Sequence, residues 1–296
     1  MNKELIFKGV GTALITPTNE KGVDYEKLEK LIEFQISEGI NAIIIAGTTG
    51  EGSTLDDKEH KELLSFAKEK INHRVPMIAG TGSNDTNYAC SLAKYSCEIG
   101  VDGLLVVTPY YNKPSDEGIY RHFEAVSKIG IPIVVYNIQG RTAKNISTSL
   151  LERIADLPNI VGVKEASGNI NQMMEVIEKV VSKHPDFSVM SGDDGLTLPL
   201  MAAGGQGIIS VVTNMIPDLM TELAHDCLEG KFAEARKIHY RLQPFFRAAF
   251  VDGNPSCIKY AMNVKGLPAG TVRLPLVEPK PEAKAIIEEA IKSCGL

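Results

Sequence analysis

Residues 160–169 read Ile-Val-Gly-Val-Lys-Glu-Ala-Ser-Gly-Asn. Lys164 stands in an otherwise apolar, β-branched run, which is the pattern of a buried strand. An ammonium buried there is costly unless it is paired or gives up its proton. A lone strand lysine is more often a snorkelling surface residue. The chemical reading is a desolvated amine that forms a Schiff base with a carbonyl. No second cation is evident beside it in the chain, so burial by apolar neighbours such as Val163 is the expected reason for a lowered pKa.

Other chemistry-bearing residues follow apolar runs of the same kind. Thr48 and Thr49 lie in Gly47-Thr48-Thr49-Gly50-Glu51, a turn before a helix that offers N–H groups and hydroxyls to a carboxylate or phosphate. Tyr110 and Tyr111 follow residues 103–108, and Tyr136 closes residues 131–137. Arg141 sits in the loop after Tyr136, where a guanidinium suits bidentate binding of a carboxylate. Asp193 and Asp194 end another run and leave a metal-dependent aldolase open. The six histidines are scattered and none accompanies them, so metal binding is the weaker option. Gly204-Gly205-Gln206-Gly207 precedes a strand rather than following the first one, so it is not read as a dinucleotide loop.

These residues need a frame that gathers strand ends. Apolar runs at 11–17, 42–46, 76–80, 103–108, 131–137, 160–166, 187–191 and 207–212 alternate with amphipathic stretches. The runs are continuous rather than alternating, as in parallel strands buried on both faces. Eight such units predict an α/β fold, a (β/α)₈ TIM barrel, whose strand C-terminal ends face the site. A helix after Lys164 is expected to bury Ile170, Met173, Met174, Ile177, Val180 and Val181, with Gly168 and Asn169 as its start signal. Past Gly230 the strand pattern stops. Helices are expected at 232–250, 256–264 and 282–293, with a kink at Pro244. The organisation read from this is a catalytic barrel over 1–230 and a C-terminal helical appendage over 231–296.

Thirty-one basic and 37 acidic residues leave a net charge of −6, which argues against a nucleic-acid or anionic-membrane partner. The five cysteines are odd in number and lack a Cys-x-x-Cys pair, so a reducing cytoplasm is expected. Residues 1–8 hold too short an apolar stretch for a signal peptide.

The motifs taken together resemble the dihydrodipicolinate synthases, in the N-acetylneuraminate lyase group of Schiff-base aldolases. The matching pieces are Gly47-Thr48-Thr49-Gly50-Glu51, Thr108-Pro109-Tyr110-Tyr111-Asn112-Lys113-Pro114, Tyr136-Asn137 with Arg141-Thr142, Val163-Lys164-Glu165-Ala166 and Ser191-Gly192-Asp193-Asp194. Asn254-Pro255 and Arg273-Leu274-Pro275 fit the C-terminal part. The resemblance implies a lyase of lysine and diaminopimelate biosynthesis with no cofactor beyond a covalent imine between Lys164 and pyruvate. Thr48 and Thr49 would hold the pyruvate carboxylate, and Gly192 and Ile209 would line the pocket. Tyr136, Thr48 and Tyr111 would relay protons, with Tyr111 donated by a neighbouring subunit of a homotetramer built as a dimer of dimers. Arg141 would bind aspartate semialdehyde and favours the synthase over a related aldolase acting on a 2-keto-3-deoxy sugar acid. A non-catalytic barrel that merely binds a keto acid is the alternative from another class.

The resemblance also places a lysine-feedback site at His60, Asn84, Tyr88 and Tyr110. Asp57 stands there in place of the usual histidine, and Tyr88 in place of a glutamate that holds the effector's amino group. Losing that carboxylate removes a bond worth about 1.5–3 kcal/mol, so inhibition by lysine is expected to be weak or absent.

Overall fold

The computed structural model describes residues 5–296; residues 1–4, part of the N-terminal stretch considered above, lie outside them. Eight parallel strands close into a barrel in chain order: β1 (Gly9–Ala13), β2 (Ala42–Ile45), β3 (Met77–Gly80), β4 (Gly103–Val107), β5 (Ile133–Asn137), β6 (Ile160–Glu165), β7 (Ser188–Ser191) and β8 (Gly207–Ser210). β8 pairs back onto β1, so no edge strand is left open. Helices intervene between the strands, giving the TIM-barrel architecture.

Two apolar layers hold the barrel. Side chains alternate across each strand, so one set fills the lumen and the other packs outward beneath the helices. Ile44, Ile78, Leu105, Val134, Val161, Met190 and Ile209 belong to the inner cluster. Ile43, Ile45, Val106, Ile133, Val135, Ile160 and Val163 belong to the outer one. The alternation is broken once, in β6. Ile133 of β5 pairs with Ile160, but Val134 pairs with Gly162, so β6 carries one extra residue, Val161. Val161 is therefore lumenal while Val163 is outward, and the phase beyond the bulge differs from the phase before it.

The first strand is shorter than the expected 11–17. Beyond Ala13 the chain leaves the ladder. The Ile15 N–H is taken by the Asn214 side chain at 2.9 Å, and Pro17 has no N–H to offer. A two-stranded ribbon, Thr18–Asn19 with Gly22–Val23, follows without having been anticipated. Asp24 caps the helix Tyr25–Ser37 by accepting from the Lys27 N–H. Asn169 likewise caps the helix Ile170–Val176, after Gly168 with φ +75°. That helix widens into a π turn at Ile177–Val181, and Met174, expected on its buried face, is 44 % exposed.

The C-terminal helices are Phe232–Ala248, which runs through Pro244, Ser256–Val264 and Pro281–Ser293. The first packs on the helix Pro217–Leu228 and on the last helix of the chain. The second reaches the barrel mouth through Lys259, described below. No helix among the described residues is long and apolar enough to cross a membrane.

Candidate active site

Lys164 and Tyr136 are both lumenal at the C-terminal ends of their strands, and both are 4 % exposed. They are register partners across β5 and β6. The lysine Nζ lies 4.4 Å from the centre of the tyrosine ring. Burial pushes the Lys164 amine down to about 8; the Asp194 charge works against this and the Arg141 charge adds to it. Burial also raises the Tyr136 phenol to about 12, with the Arg141 charge and the Thr48 hydroxyl acting in the lowering direction. Two expectations are corrected here. Val163 faces outward and does not desolvate Lys164; the lumen does. A second cation is within electrostatic reach, namely Arg141.

β7 approaches Lys164 closely. A Cβ on Gly192 would lie 3.0 Å from the Lys164 Cε and 2.6 Å from the Ala166 Cβ. Any side chain at 192 would collide with the Ala166 Cβ and crowd the amine's stem, which accounts for glycine there. Ile209, from β8, is fully buried in the lumen cluster.

The turn after β2 is closed from its far side. The N–H groups of Glu51 and Gly52 donate to the carbonyls of Thr48 and Gly47, both at 3.1 Å. Thr49 is 2 % exposed, and its hydroxyl accepts from the Asn254 side-chain amide at 3.0 Å. Arg141 lies in a short helix, Gln139–Thr142, rather than in the expected open loop. Its Nη2 donates to the Asn254 backbone carbonyl at 3.1 Å. Asn254 therefore touches both the turn and the arginine.

Glu51 is anchored from below. It is 2 % exposed, as is Lys259 of the helix Ser256–Val264. The Lys259 ammonium donates to the Glu51 carboxylate, to the Thr16 carbonyl at 2.6 Å and to the Thr271 carbonyl at 2.7 Å. The other Glu51 oxygen accepts the Arg273 N–H at 3.1 Å. Sequence reasoning missed Lys259, because its partner Glu51 lies 208 residues away.

Asp193 and Asp194 part company. Asp193 caps the turn through the Gly195 N–H at 2.8 Å. Asp194 is buried, accepts from the Ser210 hydroxyl and from the N–H groups of Val211 and Val212, and has its pKa pushed up to about 6 by burial. Among the described residues no three His, Cys, Asp or Glu side chains gather into a metal-binding group. Asp194 instead acts on the charge of Lys164.

A cavity of about 280 Å³ reaches the Tyr136 side of the pair; Lys164, Thr49, Gly192 and Ile209 are not among its lining residues. Thr48, Tyr136, Ile138 and Arg141 line one part, and His60, Tyr88 and Tyr110 line another. Residues assigned to separate catalytic and effector sites thus share one space. The His60 Nε2 lies 3.0 Å from the Gly80 carbonyl oxygen, and burial lowers its pKa. Asn84 is not among the lining residues; its carbonyl accepts from the Asn112 side chain at 2.8 Å. Tyr111 also stays out of its own chain's cavity. It is 90 % exposed and holds a left-handed φ of 72°.

Residues 6–294 match the model of the dihydrodipicolinate synthetase family. A curated relative, 4-hydroxy-tetrahydrodipicolinate synthase of Acetivibrio thermocellus, is 48 % identical over 98 % of both chains. The crystal structure of dihydrodipicolinate synthase from Aquifex aeolicus is 43 % identical, with a TM-score of 0.94 over 98 % of this chain and 99 % of that one. A structure described as a monomeric dihydrodipicolinate synthase variant is 40 % identical, with a TM-score of 0.95 over 98 % of each chain.

Proposed function

The chain belongs to the dihydrodipicolinate synthetase family, and from that premise we propose that it condenses pyruvate with aspartate semialdehyde, the 4-hydroxy-tetrahydrodipicolinate synthase reaction, through an imine on Lys164. The observation that carries the mechanism is the Lys164–Tyr136 pair, a buried amine held against a phenol at a barrel mouth.

The unprotonated Lys164 amine attacks the pyruvate ketone, and loss of water leaves the imine. Tyr136, with Thr48 beside it, passes the protons this needs. The turn at Thr48 and Thr49 receives the pyruvate carboxylate. Loss of a methyl proton converts the imine to an enamine, whose carbon adds to the aldehyde of the second substrate. Arg141 lines the cavity and takes that substrate's carboxylate; Gly192 and Ile209 shape the wall around the imine. The substrate's own amine then displaces Lys164 as the ring closes. The imine itself serves as electron sink, so the scheme calls for no dissociable cofactor. Tyr111 completes the relay from a second copy of the chain, which requires at least a dimer and fits a dimer of dimers. The sugar-acid alternative is not favoured, since curated relatives at 40–48 % identity carry the synthase name.

The test is borohydride reduction with pyruvate, read by mass of the Lys164 peptide, alongside a panel of aldehydes. A pyruvyl adduct on Lys164, and consumption of aspartate semialdehyde well above sugar aldehydes, are expected. No adduct at saturating pyruvate would overturn the proposal.

A further inference from the structure

Glu165, the residue after Lys164, is a carboxylate with no accessible surface. Neutral donors meet its oxygens. Oε1 accepts the Ser167 N–H at 2.8 Å. Oε2 accepts from the Asn137 Nδ2 at 3.0 Å and the Gln172 Nε2 at 3.4 Å. Desolvating a carboxylate against neutral groups is costly, and the location of this one is informative.

Asn137 follows Tyr136 in β5 as Glu165 follows Lys164 in β6, and the two are register partners. The catalytic pair points into the lumen, so Asn137 and Glu165 sit immediately behind it on the outer face. From there the network continues into the segment that carries Arg141. The Asn137 Oδ1 accepts the Ile146 N–H at 3.0 Å, and its Nδ2 also donates to the Asn145 Oδ1 at 2.9 Å. The Gln172 Nε2 reaches the Ile146 carbonyl at 3.1 Å. One carboxylate thereby ties together the ends of β5 and β6 and residues 138–146.

We infer that Glu165 is a positioning residue, which acts through Asn137 and Gln172 to set the spacing of Lys164, Tyr136 and Arg141. The inference rests on the site reading proposed above. Glu165 itself touches no substrate, because the strand wall lies between it and the cavity.

Glu165→Gln keeps the volume but sets an NH₂ group against the donors of Asn137 or Ser167. Its kcat is expected to fall roughly ten- to hundredfold, as for a displacement of about 1 Å near the chemistry, with KM for both substrates within about threefold. The rate of borohydride trapping with pyruvate should fall in parallel. Glu175→Gln, which removes a half-exposed charge paired with Lys179 outside the network, serves as control and should stay within about twofold.

A Glu165→Gln enzyme as active as the unsubstituted one would overturn the inference, and so would a loss carried by KM rather than by kcat and the trapping rate. Should Glu165→Gln not fold, Gln172→Met carries the test. It cuts the Gln172 bonds to Glu165 and to the Ile146 carbonyl at their half-buried edge, an expected loss of about fivefold in kcat, and full activity there would overturn the inference equally. Trapping of the unsubstituted protein keeps the two proposals apart. Trapping with no response to Glu165→Gln sinks only the positioning role, whereas no trapping of the unsubstituted protein sinks the site reading and this inference with it.

Discussion

Lys164 and Tyr136 face each other as direct partners in the β5–β6 ladder, with the amine 4.4 Å from the ring centre. The pairing follows from the extra residue in β6. Without Val161 as a bulge, a strand that turns Val161 inward would turn Lys164 outward. Lys164 thus owes its direction to a one-residue irregularity at the second position of the strand.

The lowered amine sets a pH dependence. In the proposed mechanism the neutral form of Lys164 is the nucleophile, so trapping with pyruvate should rise with pH to a midpoint near 8 rather than near 10.5. Asp194 favours the ammonium, so Asp194→Asn should move that midpoint down. A midpoint that moves up, measured by adduct mass across pH 6–10, would contradict the electrostatic account. The same shift bears on stability. The unfolded chain binds more protons than the folded one between about pH 8 and 10.5, so Lys164 weighs fully against folding below 8. Lys164→Met should raise the Tm at pH 7, and the gain should shrink as pH climbs above 8.

Tyr111 is expected to work in a partner's site. A bulky residue with positive φ and 90 % exposure is strained unless something holds it. Tyr111→Phe alone and Lys164→Ala alone should each be inactive or nearly so. Mixed and allowed to exchange subunits, they should regain activity, because a Lys164→Ala subunit can lend its tyrosine to a Tyr111→Phe subunit. No recovery in mixtures shown to exchange would refute donation between copies.

The Lys259–Glu51 pair should show in both stability and binding. Lys259→Met strands a buried carboxylate at a cost of about 3–5 kcal/mol, readable in urea unfolding. Glu51→Gln/Lys259→Met should recover most of it. Because Glu51 ends the turn at Thr48 and Thr49, the single variant should raise KM for pyruvate more than KM for the aldehyde. Equal loss in the single and double variants would mean that charge pairing is not the reason.

Lysine should inhibit weakly or not at all. Where the resemblance places the effector, the cavity is lined by the Tyr88 phenol rather than by a carboxylate, and the nearby Asp57 is exposed and already bonded to Lys61 at 2.7 Å. Strong inhibition at low lysine in a steady-state assay would contradict this.

The barrel was legible because eight short apolar runs between amphipathic stretches leave few ways to bury both strand faces. Thr48, Tyr136 and Arg141 were legible as chemistry because each lies at or just after a strand's end. Glu165, Lys259 and Asn254 were not, because their partners lie 28, 208 and 205 residues away. No local pattern announces a contact of that kind.

The sequence by itself determined that Lys164 would lie in a buried strand, because local apolar, β-branched neighbours commit residues 160–165 to one; it left open whether the amine snorkels out or is desolvated. Only the tertiary structure decided which way that lysine points and what tunes it. Direction depends on register between neighbouring strands, which one bulge resets. The balance of Asp194 against Arg141 depends on barrel closure, which brings charges 30 and 23 positions away in the chain around one amine.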